Sequence, residues 1–281
     1  MLMRYQGITM YDRRVPHKRR RQAKKGAVRG IRRPSATDES LRIRRAGPPD
    51  ACDNASVLPK VWRETGDAMN TSFITINTHS SIRLQTQNGT VVYVDPYGFT
   101  AEPHDADLIL VTHSHFDHLS PEDIARVRRP STVFVLPVSC KRDFAKAGFS
   151  HEEATFLVPY EHTTPLPDIE VEAMPAYNVS KGFHPKQNGW LGYVIATDGT
   201  RVYVAGDTDD LPENRSIACD IALVPAGGTY TMDAREAAAF VNALRPTVAI
   251  PEHYGTVAGS PEDGETFASL VNPNIEVVLK L

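Results

Sequence analysis

The stretch Leu108-Ile109-Leu110-Val111-Thr112-His113-Ser114-His115-Phe116-Asp117-His118 decides how the rest of the chain is read. Its first half is an apolar run of the length and β-branched character of a buried strand. Its second half places three histidines and an aspartate within six residues, from His113 to His118. Imidazoles and a carboxylate crowded at a strand end have no ordinary core role, because burying them together requires a cation or many hydrogen bonds. In an extended or turning segment His113 and His115 point to one side, while Asp117 and His118 follow through the turn, so one hairpin can serve two adjacent metal sites. Isolated histidines carry no such weight. His17, His79, His104, His151 and His162 are expected to be ordinary hydrogen-bonded or surface residues.

Upstream, residues 72–77, 81–86 and 91–94 read as short strands, with Asn88-Gly89 marking a tight turn between the last two. The third runs into Asp95-Pro96-Tyr97-Gly98. Asp95 can bond the local backbone or reach the histidine motif, and the turn role is the expectation.

Downstream, Ser120-Pro121-Glu122-Asp123 supplies an N-cap, a proline at the first helical position and acids in the first turn, so a short helix through Arg128 follows. Further strands are expected at residues 132–136, about 155–159, 169–174, 192–197, 201–205, 221–225, 247–251 and 275–279, with a helix over 139–146. Asp233 and Glu236 form a capping box for a helix whose apolar face is Ala237, Phe240, Val241 and Leu244 and which Pro246 stops. Ser260-Pro261-Glu262-Asp263 repeats the start signal of Ser120 for a helix through about Val271. Two β-rich halves, each followed by helices, predict a layered α/β architecture.

The apolar fraction of 41% over 281 residues suits a globular chain with a sizeable core. Charge is unevenly placed. Residues 1–68 carry seventeen lysines and arginines against seven acids, and residues 69–281 fourteen against twenty-seven. The basic head, with Lys18-Arg19-Arg20-Arg21 and Lys24-Lys25 broken by Pro and Gly and lacking periodicity, reads as a disordered extension. Met69 would make a natural start just before the first strand, so the head is expected to be irrelevant to the chemistry. Cys52, Cys140 and Cys219 show neither metal spacing nor an even count, which suggests a reducing compartment. No apolar run reaches the roughly 20 residues of a membrane span, and the N-terminus lacks the apolar centre of a secretory signal. A cytoplasmic protein is expected.

The text His113-Ser114-His115-Phe116-Asp117-His118 matches HxHxDH, and on it the chain resembles the metallo-β-lactamase-fold hydrolases. The likeness extends over residues 72–281: Val94-Asp95-Pro96 resembles the family's first motif, Ala205-Gly206-Asp207-Thr208-Asp209 its bridging-aspartate motif and Pro251-Glu252-His253 its last histidine motif. It implies an αββα four-layer sandwich with metals at one edge between the sheets. By carry-over, His113 and His115 hold a first metal, Asp117, His118 and His253 a second, and Asp207 bridges them. Asp207 also stands out unaided, as a carboxylate at the end of a strand. The sequence departs from the pattern at Met174-Pro175-Ala176-Tyr177-Asn178, where Asn178 replaces the expected histidine and is a poor zinc ligand. Either the first site is completed by water or a harder ion, or His184 from the following loop lines it.

Pro175-Ala176-Tyr177-Asn178, Phe183-His184-Pro185-Lys186 and Gly228-Thr229-Tyr230-Thr231-Met232 are similar to the ascorbate-6-phosphate lactonase-like and phospholipase-D-like branch of small prokaryotic members. The implied activity is hydrolysis of an ester, lactone or phosphoester, a small molecule, by water activated at one or two Zn2+ ions, with Mn2+ or another divalent ion as the alternative. Asp117 is the candidate catalytic residue, orienting the water or taking its proton. Tyr230 and Tyr254, in loops after strands, are candidates for the substrate rim, whereas Trp190 and Tyr193 are expected in the core. Lys181 and Lys186 could attract an anion, although exposed lysines are usually just solvated. A nuclease of the same superfamily is a competing reading, opposed by the acidic body, and so is a metal-binding protein without turnover.

Overall fold

The computed structural model describes residues 69–281, so the reading of residues 1–68 as a disordered extension lies outside the described residues. The first half builds a six-stranded sheet from β1 (Ile74–Thr78), β2 (Ser81–Gln85), β3 (Val91–Val94), β4 (Ala106–Leu110), β5 (Arg128–Pro137) and β6 (Ala154–Leu157), laid side by side in chain order. The second half builds a seven-stranded sheet, also in chain order, from β7 (His162–Leu166), β8 (Ile169–Pro175), β9 (Leu191–Thr197), β10 (Thr200–Val204), β11 (Ile221–Pro225), β12 (Val248–Glu252) and β13 (Glu276–Val277). Each sheet opens as an antiparallel meander and continues with parallel strands. Parallel pairing needs a crossover, and helices supply most of them. These are α1 (Pro121–Val127) and α2 (Lys141–Lys146) in the first half, and α3 (Ala234–Leu244) and α4 (Glu262–Leu270) in the second.

Three apolar layers hold this arrangement. Ile74, Ile82, Val92 and Leu108 from the first sheet meet Val171, Tyr193, Val204 and Ile250 from the second, forming the core between the sheets. Ile109, Phe134 and Val111 turn the other way, onto Ile124, Val127 and Phe144 of α1 and α2. Tyr203, Ala222 and Val224 pack on Phe240 and Val241 of α3 and Phe267 of α4. Strands buried on both faces need an apolar side chain at nearly every position, which is why β11 reads Ile-Ala-Leu-Val-Pro without alternation. The result is the αββα four-layer sandwich.

Helix starts follow the sequence signals with one exception. Ser120 accepts from the Asp123 amide, and Asp233 with Glu236 closes a reciprocal capping box. Ser260 does not cap α4; its amide instead donates to Asp263 Oδ2 at 2.6 Å. The strand β7, which no pattern announces, carries Pro165 and lies at the sheet edge, where a missing donor is tolerated. Cys140 and Cys219 are buried. No helix among the described residues is long and apolar enough to cross a membrane.

Candidate metal centre

The first sheet delivers its motif at the end of β4. Beyond Leu110 the chain stays extended through Thr112, whose carbonyl accepts from Leu191 of the second sheet at 3.1 Å, while Tyr193 Oη donates to the Val111 carbonyl at 2.7 Å. The strand end is thus clamped to the opposite sheet. The chain then coils, His118 and Leu119 amides both donating to the His115 carbonyl, so that 113, 115, 117 and 118 converge before α1 begins. From the second sheet, Asp207 follows β10 through Gly206. A Cβ on Gly206, whose φ is +64°, would lie 2.9 Å from the Leu191 carbonyl oxygen and 3.2 Å from Thr112, so only glycine lets these strand ends meet.

Two groups of potential ligands result. His113, His115, His184 and Asp207 form one, and His79, Asp117, His118 and His253 the other, each with its candidate ligand atoms within 4.8 Å of one another. In the first, His115 Nδ1 lies 3.0 Å from His113 Nε2 and 3.2 Å from His184 Nε2, which is itself 3.1 Å from Asp207 Oδ2. In the second, His79 Nε2 lies 3.3 Å from Asp117 Oδ2. Asp207 reaches both: Oδ1 is 3.4 Å from His118 Nε2, and Oδ2 is 3.3 Å from His253 Nε2. The structure therefore brings together all six residues expected as metal ligands.

Several expectations change. His79, read as an ordinary histidine, sits fully buried in the second group, with its ring 3.8 Å from that of His253. A bulky imidazole at φ +52° in the hairpin between β1 and β2, where Gly or Asn is customary, is the signal that could have marked it. Asp95 does not serve its own turn. It is fully buried, accepts from the Thr112 amide and hydroxyl, and accepts from His118 Nδ1 at 2.7 Å. Tyr254 is not at a rim but buried, its hydroxyl packed on Gly264 of α4.

Asn178 belongs to neither group. Its amide nitrogen donates to the Tyr230 carbonyl at 2.6 Å and lies beside His184. His184 Nδ1 meets the same carbonyl at 3.1 Å, which fixes the tautomer and leaves Nε2 free to bind. Tyr230 thus acts near the site through its backbone. Trp190, expected in the core, is half-buried, and its ring lies 4.7 to 5.4 Å from those of His113, His115 and His184, walling that group.

The donor set suits divalent ions. Both nitrogens of His79, Nε2 of His118 and Oδ1 of Asp207 are buried without hydrogen-bond partners, a deficit that a cation would reduce. Burial resists charge on His118, but Asp207 and Asp95 outweigh it and push its pKa up to about 10. Burial likewise opposes the Asp207 charge, yet His253 and His118 hold it well below the usual carboxylate range. Burial pushes His113 down, so it presents a neutral imidazole.

Residues 73–253 match the Beta-lactamase superfamily domain. A UPF0173 metal-dependent hydrolase of Pyrococcus furiosus is 32% identical over 188 residues, which span 64% of this chain and 82% of the relative. A protein of solved structure from Parabacteroides distasonis superposes with a TM-score of 0.62 at 32% identity, over 74% of this chain and 92% of that one. Igni18, a metallo hydrolase of the archaeon Ignicoccus hospitalis, gives 0.59 at 26% identity, over 73% and 93% of the two chains. With sequence and fold matched over one span, the chain belongs to the metallo-β-lactamase superfamily and is a metal-dependent hydrolase.

Proposed function

We propose that this enzyme hydrolyses an ester or lactone at a two-ion centre, with zinc as the first candidate metal and manganese as the second. The observation that carries the reading is the sharing of Asp207 between two complete groups of imidazole and carboxylate donors. A set of six histidines and two aspartates suits zinc better than magnesium or calcium, which prefer all-oxygen shells. Bound divalent ions would supply Lewis acidity, polarising the substrate's carbonyl and making water acidic enough to attack at neutral pH.

The chain's own residues do the rest. His113, His115 and His184 would hold one ion, His79, His118, His253 and Asp117 the other, and Asp207 both. Burial would raise the Asp117 pKa, but the bond to His79 and the charge of His118 lower it overall, so it is a carboxylate at neutral pH. That state accepts a hydrogen bond from the attacking water and orients it better than it removes a proton. The acidic body speaks for a small-molecule substrate rather than a nucleic acid, whose phosphates need cations.

Protein stripped of metal and reloaded with zinc or manganese tests the reading against a panel of esters, lactones and phosphodiesters, with metal content measured alongside. Turnover should appear only in reloaded protein, at two ions per chain. Asp117→Ala should lower kcat by about a hundredfold or more. Unchanged activity in both Asp117→Ala and His118→Ala would remove the proposal.

A further inference from the structure

The mouth of the metal centre carries unusual apolar exposure. Phe116, between His115 and Asp117, is 67% exposed; Phe183, next to His184, is 48% exposed; Val179, in the same loop, is 69% exposed. The rings of His115 and His184 are only 4.8 Å apart, so the two phenylalanines issue from adjoining points of one cluster. Each has an aromatic partner: Phe116 meets Tyr97 edge-on at 6.1 Å, and Phe183 meets Tyr230 at 4.7 Å. Trp190 backs the histidines of the first group. Single exposed apolar side chains are normal on any surface, but several large ones attached to potential metal ligands are not scattered.

The two lysines beside this mouth have partners away from the histidines. Lys181 pairs with Asp209 and, at 3.2 Å, with Glu236. Lys186 donates to Tyr177 Oη at 3.0 Å and lies 3.7 Å from Glu213. Lys181 is thus held by two carboxylates, and Lys186 leans on Tyr177 and Glu213 rather than on the histidines.

We infer that the substrate is an uncharged ester or lactone bearing an apolar acyl group, which lies against Phe116, Phe183 and Trp190. The inference rests on the hydrolytic reading above and names its substrate class. In the reaction the water oxygen forms the new bond to the acyl carbon, the acyl–oxygen bond breaks, and a proton passes to the departing alkoxide. An ester gives an acid and an alcohol, and a lactone gives a single hydroxy acid.

The test uses the full chain loaded with zinc or manganese and p-nitrophenyl acetate, butyrate and hexanoate, with bis(p-nitrophenyl) phosphate as the anionic competitor. The value of kcat/KM should rise about tenfold from acetate to hexanoate, as partial burial of added methylenes implies. In Phe116→Ala/Phe183→Ala the hexanoate-to-acetate ratio should fall toward one, a ratio that partial loss of active protein does not move. Calorimetric binding of hexanamide, with acetamide as control, reads the surface without turnover. Hexanamide binding that the double variant loses, with no ester turned over, would support the apolar surface while the hydrolytic reading failed. Ester turnover indifferent to chain length, a preference for the phosphodiester, or hexanamide binding no better than acetamide would overturn the inference and leave the hydrolase standing.

Discussion

Asp95 stands one side chain behind the metal centre, and its carboxylate is what turns His118 toward Asp207. Accepting a hydrogen bond from Nδ1–H leaves His118 Nε2 with its lone pair for a metal, a tautomer the imidazole would not otherwise prefer. Asp95→Asn keeps the shape and weakens the acceptor, so metal affinity should fall about 10- to 100-fold, read by competition with a chelator. Affinity equal to wild type would show that Thr112 and the fold suffice. The same scale shows a backbone feature shared around the site. His79, Asp95, His184 and His253 all have φ between +48° and +58°. Non-glycine residues held there cost roughly 1–3 kcal/mol each and persist where surrounding structure imposes them, commonly at functional sites. HxHxDH was legible because its members are consecutive. His79 was not, because its place depends on backbone contacts between distant loops, including the His253 amide on the His79 carbonyl at 3.2 Å.

Among the elements, the segment carrying His184 shows how a ligand without a motif is placed. Residues 207–209 are zipped to residues 177–181: Thr208 Oγ1 donates to the Tyr177 carbonyl at 3.0 Å, the Asp209 amide to the same carbonyl at 3.0 Å, and the Val179 amide to Asp209 Oδ2 at 2.8 Å. Lys181 closes the zip on Asp209. The strand end bearing Asp207 therefore also positions the loop bearing His184. Asp209→Ala should release that loop, and the two ions proposed per chain should fall toward one in titration against a chromogenic chelator. Asp209→Asn keeps an acceptor for Val179 while losing the ion pair, and should retain more of the second ion than alanine does. Equal stoichiometry in all three proteins would leave the loop held by Asn178 and Tyr230 alone. Strand and helix positions were mostly readable, because hydrophobic patterns and caps are local. The loop between residues 175 and 191 was not, since its form is imposed from β10 and the turn before α3.

At the scale of the whole molecule, the candidate ligands come from both sheets, five from loops of the first half and three from the second. Periodicity could announce two β-rich halves, but not which strands neighbour each other or that the halves face, because pairing depends on partners far away in sequence. The family resemblance supplied that assembly. What holds the faces together away from the site is the apolar core between the sheets. At the site itself, buried imidazoles without hydrogen-bond partners and Asp207 are pressed together, an arrangement that bound cations relieve. Ions that bind only the folded chain stabilise it by mass action, about 2.7 kcal/mol at a hundredfold excess over the dissociation constant. For a domain of this size that corresponds to a Tm higher by roughly 5–10 °C. Scanning calorimetry of metal-loaded and chelator-treated protein should show that loss. In Asp207→Ala the interval should shrink, because that carboxylate serves both groups. An unchanged Tm after metal removal would mean that the apolar layer alone fixes the two sheets, and that the ions serve chemistry without adding to the stability of the fold.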